Sequence, residues 1–148
     1  MKTYRFTLER ILNIRKYREL EWELLLAAAS GKCIALQNEL SDLGSERRRI
    51  LLERFTFSHG DAGVLAGTEL YLRRLAEQTK KKRRQLEERE RERDEIRGHY
   101  LTASKERKVL DKLKEKRAAA HYRQGLMEEV KMIDDTTNAT SARLRVGE

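Results

Sequence analysis

The sequence predicts an all-α protein: a long two-helix antiparallel coiled-coil hairpin with a disordered C-terminal tail. Charged residues make up 39% of the 148 residues and aromatic residues 6%, so the apolar side chains are too dispersed to enclose a thick core. The chain contains no proline. Apolar residues recur every three or four positions along most of it, which is the spacing of a stripe on one face of a helix.

The first helix is predicted at about residues 7–57, with Thr3 or Thr7 available to cap its start. Its apolar stripe is interrupted by two arginines, and its predicted members before the glycine at 31 are Leu8, Ile11, Arg15, Arg18, Trp22, Leu25 and Ala29. The stripe then continues as Cys33, Leu36, Leu40, Leu43, Arg47, Ile50, Arg54 and Phe57. The steps from Leu25 to Ala29 and from Ala29 to Cys33 are both four residues long. Two successive steps of four indicate a stutter, which straightens the supercoil locally.

A cluster of turn-forming residues, Ser58, His59, Gly60 and Asp61, predicts a turn at about 58–66. Thr68 offers a cap, and the second helix is predicted at about 67–133. Its predicted seam consists of Leu72, Leu75, Thr79, Leu86, Ile96, Tyr100, Ala103, Leu110 and Leu113. Residues 134–148 are polar and weakly patterned, so we predict a coiled coil over 1–133 and a flexible tail over 134–148.

A tight turn makes the two helices antiparallel and fixes which residues face each other. A turn near Asp61 places Leu36 opposite Leu86 and Trp22 opposite Tyr100, and it brings both chain ends to one pole.

The same register brings two cations, Arg15 and Arg107, together across the seam. Two interpretations remain open at this point. Glu19, Glu106 and Asp111 could neutralise the arginines, or the arginines could require a carboxylate from a partner.

The net charge of +8 implies attraction to acidic protein surfaces, nucleic acid or anionic lipid. No apolar run approaches the length of a membrane span, and the N-terminus lacks a secretory signal, so we predict a cytoplasmic protein. The single cysteine, Cys33, is predicted to pack in the seam. No arrangement of side chains suggests a cofactor, a metal site or a catalytic centre, and we predict that the protein is not an enzyme.

The run from Lys80 to Arg84 resembles a nucleic-acid-binding patch, but alternating acidic and basic residues follow it directly. No aromatic residues that could stack on bases are interleaved with it. We interpret it as a solvated helix face with local ion pairs.

The stretch from Ala103 to Arg117 is the most informative. Ala103, Leu110 and Leu113 share one stripe, while Lys105, Lys108, Lys112 and Lys116 gather on nearly the opposite side of the helix. Stacked like charges destabilise their own helix by about 0.2–0.5 kcal/mol per pair. The row is either a solvated face or a docking surface for an acidic partner.

A second candidate surface lies near the turn, where several apolar side chains are close in sequence: Phe55, Phe57, Leu70, Tyr71, Leu72 and Leu75. They could close the hairpin as a hydrophobic plug or form a contact patch for a partner.

Two segments resemble the family of the flagellar export protein FliJ and its type III secretion relatives. The opening, YRFTLERILNIR at residues 4–15 followed by Glu19 and Glu21, is similar to the start of that family. The run SKERKVLDKLKEKR at residues 104–117 is similar to its second-helix signature. The resemblance covers nearly the whole chain.

The resemblance implies an antiparallel coiled coil similar to the central stalk of rotary ATPases, located in the cytoplasm at the inner membrane. The implied partners are a hexameric export ATPase, a transmembrane export gate protein and export chaperones. The residues it implies for the ATPase contact are Arg10, Arg15, Arg107, Lys108, Lys112 and Lys116. Those expected near the gate are Tyr71, Leu72 and Leu75, from their position near the turn. The alternatives from other classes are a basic coiled coil that binds nucleic acid and a plain scaffold.

Overall fold

The computed structural model describes the backbone of residues 4–56 and 62–146, with side chains for residues 4–54 and 62–140. These residues form two helices, α1 at Glu9–Thr56 and α2 at Ala62–Val146, and no strand occurs among them. The prediction of an all-α fold with two long helices packed against each other is confirmed. None of the described helical segments is long and apolar enough to cross a membrane.

Helix α1 begins two residues later than predicted. The amide of Leu12 donates to the carbonyl of Leu8 (2.9 Å), which makes Leu8 the capping position and Glu9 the first helical residue. The carboxylate of Glu9 is well placed there, since a helix N-terminus favours negative charge. Thr7 lies in the turn that precedes the helix, and its hydroxyl accepts a bond from Arg117 (3.3 Å).

Helix α2 begins at Ala62, inside the segment predicted as the turn. The predicted cap, Thr68, lies within the helix, and its hydroxyl donates to the carbonyl of Val64 (2.9 Å), a bond typical of a helix interior. The predicted turn residues 58–61 and the side chains of Phe55 and Phe57 lie outside the described residues.

Helix α2 continues to Val146, through most of the segment for which the sequence predicts a disordered tail. Residues 126–146 contain neither proline nor glycine, so nothing in the sequence ends the helix there. Every side chain from 134 to 140 is exposed, and the hydroxyls of Thr136 and Thr137 donate to the carbonyl of Ile133 (2.8 Å each).

The chain divides into two compact units. The first unit comprises Met1–Glu19 and Ala103–Glu148, and the second comprises Leu20–Thr102. Within each unit a segment of α1 packs antiparallel to a segment of α2.

The second unit has a narrow apolar core. Cys33, Ile50 and Leu75 are buried, so the seam position predicted for the cysteine is confirmed. Trp22 stacks on His99 with ring centroids 4.5 Å apart and an interplanar angle of 16°. The predicted register places Trp22 opposite Tyr100, which follows His99 along α2. At this pair the predicted register is therefore off by one residue.

The predicted seam of α1 is partly wrong. Ile11 and Leu25 are 46% and 49% exposed, whereas their neighbours Leu12 and Leu26 are fully buried and half-buried. Ten of the buried and half-buried positions of α1 are spaced alternately by three and four residues: Leu12, Arg15, Glu19, Trp22, Leu26, Ala29, Cys33, Leu36, Leu40 and Leu43. This is an uninterrupted heptad repeat, so the predicted stutter is absent.

The seam of α2 agrees with the prediction. Its predicted members from 72 to 113 are all buried or half-buried in the structure. Between residues 77 and 99, α2 has only Leu86 and Ile96 as large apolar residues, so its stripe leaves little choice there, whereas adjacent apolar pairs make the stripe of α1 ambiguous.

Candidate functional site

The first unit contains the segments that resemble the family signature, and its packing begins with a small apolar layer. Leu12 is completely buried, and Phe6 is 7% exposed. Ala103 and Ser104 on α2 are also buried. The small side chains at 103 and 104 allow α2 to lie close to α1 at this level.

A charged layer follows within the same interface. The guanidinium of Arg107 donates to the carboxylates of Glu19 and Asp111, and that of Arg15 donates to Glu106. The side chains of Glu19 and Arg107 are only 14% and 25% exposed. The two arginines that the register brings together are thus neutralised inside the chain, which decides between the two interpretations left open by the sequence.

The charged layer shifts the ionisation of its members. Burial raises the pKa of the Glu19 carboxyl, but hydrogen bonds from Arg107 and Ser104 lower it, as do the charges of Arg107 and Lys108, and the net pKa lies below the ordinary value of 4.5. The bond to Glu19 raises the pKa of Arg107, with a further contribution from Asp111. Both members of the pair therefore stay charged at neutral pH.

A further set of contacts extends the interface toward the start of the chain. The ammonium of Lys114 lies 2.7 Å from a carboxylate oxygen of Glu9. The guanidinium of Arg117 lies over the ring of Phe6, with its central carbon 6.0 Å from the ring centroid, which is a cation–π distance. Charged side chains thus contribute most of the specific contacts that hold this interface together.

The charged layer predicts a loss of stability in acid. Because the pKa of Glu19 is lower in the folded state than in the unfolded state, the stabilisation is complete above about pH 4.5 and is lost as the pH falls through the folded-state pKa. We expect the free energy of unfolding, measured with urea at a series of pH values, to decrease over this range. Glu19→Gln is expected to make the decrease shallower.

Glu21→Gln is the matched control for this experiment, because Glu21 is exposed on the same helix and makes no ion pair with residues 4–54 or 62–140. Equal pH dependence of the wild-type chain and the Glu19→Gln variant would contradict the role assigned to Glu19.

The cations of one row on α2 differ from those of the charged layer. Lys105, Lys108, Lys112 and Lys116, which we call the lysine face, are all exposed. None of them forms an ion pair or hydrogen bond within the described part of the chain, although the charge of Lys108 lowers the pKa of Glu19. Leu110 and Leu113 lie on the opposite side of the helix and are half-buried. The lysine face is therefore available to an acidic partner.

The structure separates the six residues expected at the ATPase contact. Arg15 and Arg107 belong to the charged layer, where each is paired with a carboxylate. Lys108, Lys112 and Lys116 belong to the lysine face. Arg10 is exposed on α1 and has no ion-pair partner within the described residues.

The three residues expected near the export gate also differ in accessibility. Tyr71 is 43% exposed, and its hydroxyl donates to Glu46 over 3.4 Å. Leu72 is half-buried. Leu75 is 4% exposed and belongs to the core of the second unit. The gate contact expected of Leu75 stays a prediction, and its burial assigns it a packing role within this chain.

The seam positions of Leu12 and Glu19 were not predicted from the sequence, although Glu19 was expected as a possible partner of the arginines. Their signal was present in the sequence as the strict alternation of four and three residues from 12 to 43. Glu19 is polar, and a search for apolar residues alone passes over a seam position occupied by a carboxylate.

No group of histidine, cysteine, aspartate and glutamate side chains in the described ranges could hold a metal ion. His99 and His121 each contact an aromatic ring, Trp22 and Tyr4 respectively. His59 lies outside the described residues.

Comparison with known families identifies the chain. The family model described as "Flagellar FliJ protein" matches residues 4–145, which is nearly the whole chain, and it confirms the resemblance seen in the two sequence segments. No curated protein and no solved structure matches the chain. The chain therefore belongs to the flagellar FliJ protein family, whose members are components of the flagellar protein export apparatus.

Proposed function

We propose that this protein acts as the central stalk of the hexameric export ATPase of the flagellar type III apparatus. In this role it promotes assembly of the ring and stimulates ATP hydrolysis, and it links the ATPase to the transmembrane export gate and to export chaperones. Family membership supports a place in the export apparatus. The stalk function goes beyond family membership, and we assign it to the first unit.

The observation that carries the proposal is the lysine face. Other cations of the first unit, such as Arg15, Arg107 and Lys114, are paired with carboxylates across the helix interface. The four lysines have no such partner among the described residues and are exposed in one row. Like charges stacked in a row oppose helix formation. A requirement for binding an acidic surface explains why the chain tolerates them.

The contact is electrostatic and small, which suits a stalk. Exposed ion pairs contribute roughly 0.2–1 kcal/mol each, so they break and form again easily as the subunits of a ring change conformation. Arg10 is an additional candidate on α1 because it is exposed. Arg15 and Arg107 support the site indirectly by holding the two helices together.

For the export gate we propose a contact centred on Tyr71 and the exposed edge of Leu72. Tyr71 combines an exposed ring with a hydroxyl that reaches Glu46, and tyrosine is common at protein interfaces. Leu75, which is 4% exposed, supports this contact from the core beneath it.

A reconstitution experiment tests the proposed function. The purified chain is mixed with the export ATPase of the same organism, and ATP hydrolysis and ring formation are measured by phosphate release and by size-exclusion chromatography with light scattering. We expect the chain to increase the rate of hydrolysis and the proportion of hexamer, with the effect decreasing at high salt. If neither quantity changes at low salt, the proposal is wrong.

A further inference from the structure

Helix α2 extends past the region where it packs against the start of the chain. The last contact between them joins the rings of Tyr4 and His121, whose centroids lie 5.6 Å apart. Among the described residues, no ion pair, hydrogen bond or ring contact joins the other segment of the first unit to a position of α2 beyond His121. Every side chain from 126 to 140 is exposed. From about residue 126, α2 therefore runs as a single helix in the part of the chain that the structure describes.

This end of α2 carries a row of exposed apolar side chains. Tyr122, Leu126, Val130 and Ile133 are 57%, 42%, 56% and 63% exposed. The row continues by one position at each end, and we call these six residues the terminal stripe: Ala119, Tyr122, Leu126, Val130, Ile133 and Thr137. At 100° per residue they lie within about 80° of the helix circumference. An apolar stripe of this kind is typical of a helix that pairs with another helix.

The terminal stripe lies on the side of α2 that faces away from the start of the chain. Its centre is roughly 160° around the helix from Arg117 and His121, which contact the rings of Phe6 and Tyr4. A second helix can therefore lie along the stripe without meeting the described start of the chain.

The spacing of the terminal stripe is self-complementary. Facing residues of two antiparallel helices have numbers with a constant sum. A sum of about 256 places every member of the stripe opposite another member: Ala119 opposite Thr137, Tyr122 opposite Ile133, and Leu126 opposite Val130. A two-fold symmetric pair requires that one surface fits itself in this way. The stripe therefore suits a second copy of the same helix.

The charges beside the terminal stripe fit the same arrangement. Arg123 and Asp134 lie along one edge of it, both are exposed, and neither has an ion-pair partner within residues 4–54 or 62–140. Their numbers add up to 257, so the register that pairs the stripe brings the arginine of each copy close to the aspartate of the other. On the opposite edge, Glu129 comes near its own counterpart, and this contact between like charges weakens the association.

A parallel pair is a poorer fit because of the lysine face. Its four lysines lie on the side of α2 that carries the terminal stripe, within about 80° of the centre of the stripe. Parallel helices would set the two lysine faces side by side, where their exposed cations repel each other. Antiparallel helices place the two lysine faces at opposite ends of the pair.

We propose that residues 119–137 of α2 bind the same residues of a second copy of this chain, with the two helices antiparallel. The segment spans about 28 Å, and so short an interface is typical of weak, reversible association. The inference does not depend on the proposed ATPase contact, since the terminal stripe and the lysine face consist of different residues.

Sedimentation of the full chain tests the inference. We expect a reversible equilibrium between monomer and dimer at chain concentrations of about 1 to 200 μM, the range in which weak interfaces associate. L126E/I133E places two carboxylates from each copy in the interface, where they lose water without gaining a partner, and it should weaken the dimer by at least about a hundredfold.

M127E/M132E is the matched control, because it makes the same change in net charge in the same segment. Met127 and Met132 are 65% and 71% exposed and lie outside the terminal stripe. We expect this variant to dimerise within about fivefold of the wild-type chain, as rim positions contribute little to affinity. Circular dichroism checks that both variants keep their helix content. Equal weakening by the two variants would overturn the proposal, and so would a wild-type chain that stays monomeric throughout, which would leave the stripe to a different protein.

Charge reversal tests the register of the pair. R123E and D134R should each weaken the dimer roughly tenfold, because each turns two attractive contacts into repulsive ones. The double variant R123E/D134R restores both contacts with the signs exchanged, and it should dimerise within about threefold of the wild-type chain. If the double variant is weaker than either single variant, the two residues do not face each other and the proposed register is wrong.

Disulfide formation tests the direction of the helices. L126C and V130C chains are mixed and oxidised mildly, and the products are separated by mass; Cys33 is buried and common to both chains. Antiparallel pairing in the proposed register should favour the mixed disulfide over either symmetric one, because residue 126 faces residue 130 of the other copy. Preference for the symmetric disulfides would indicate parallel helices and overturn the proposal.

Discussion

Changing Lys108, Lys112 and Lys116 together to glutamate is expected to abolish stimulation of the export ATPase and to leave the helix content unchanged. The three side chains are exposed and have no ion-pair partner among the described residues, and the charge of Lys108 on Glu19 is a minor contribution beside the bond from Arg107. Glutamate and lysine have similar helix propensities. If each reversal weakens binding to an acidic surface by about 1 kcal/mol, the complex loses roughly a hundredfold in affinity or more.

The measurement is the rate of ATP hydrolysis at increasing concentrations of the variant, with circular dichroism as the check on folding. K80E/K81E/R84E provides the control, because it changes net charge by the same amount in the second unit, and it should stimulate the ATPase as the wild-type chain does. Undiminished stimulation by the lysine-face variant would refute the docking role of that face.

Leu12→Ala is expected to lower the free energy of unfolding by about 2–5 kcal/mol, the range found for a buried leucine that leaves a cavity. Leu12 has no exposed surface and is the only completely buried leucine among the described residues. The first unit has few other apolar contacts to compensate, since charged side chains fill the next layer of its interface. Urea unfolding followed by circular dichroism measures the effect.

Ile11→Ala is the informative comparison, because it removes a side chain of similar size from the adjacent position. Ile11 is 46% exposed, and its replacement should cost less than about 1 kcal/mol. The original seam prediction requires the opposite ranking of the two variants. A larger loss for Ile11→Ala than for Leu12→Ala would therefore show that the heptad assignment made from the structure is wrong.

The fold could be predicted from the sequence because helical periodicity and a single turn-forming cluster leave few alternatives. The seam of α2 was identified for the same reason, since positions such as Leu86 and Ile96 are apolar residues isolated among charges. Ile11 and Leu12, and likewise Leu25 and Leu26, are adjacent apolar pairs. Only a long-range requirement, the regular heptad from residue 12 to residue 43, decides which member of each pair is buried.

The lysine face could be recognised from its spacing alone, but the pairing of Arg15 and Arg107 with carboxylates could not. Arg15 and Arg107 have the same charge and a similar sequence environment to the free cations. What distinguishes them is a carboxylate on the other helix, and the choice of partner depends on side-chain geometry that periodicity does not contain. Nor could the sequence show that Lys80 and Arg84 have no ion pair with a described residue, because acidic residues follow them closely.

The charged layer of the first unit also limits how its two helices can move. If α2 slid along α1 by one heptad, Arg107 would face Leu12 in one direction, and Arg15 would face Leu113 in the other. Either slip would separate Arg107 from Glu19 and Arg15 from Glu106, and it would leave a partly buried charge facing a leucine. Sliding is thus strongly opposed, while twisting or bending of the helix pair as one body keeps every ion pair intact. A force applied to one helix of this unit is therefore transmitted to the other without slippage.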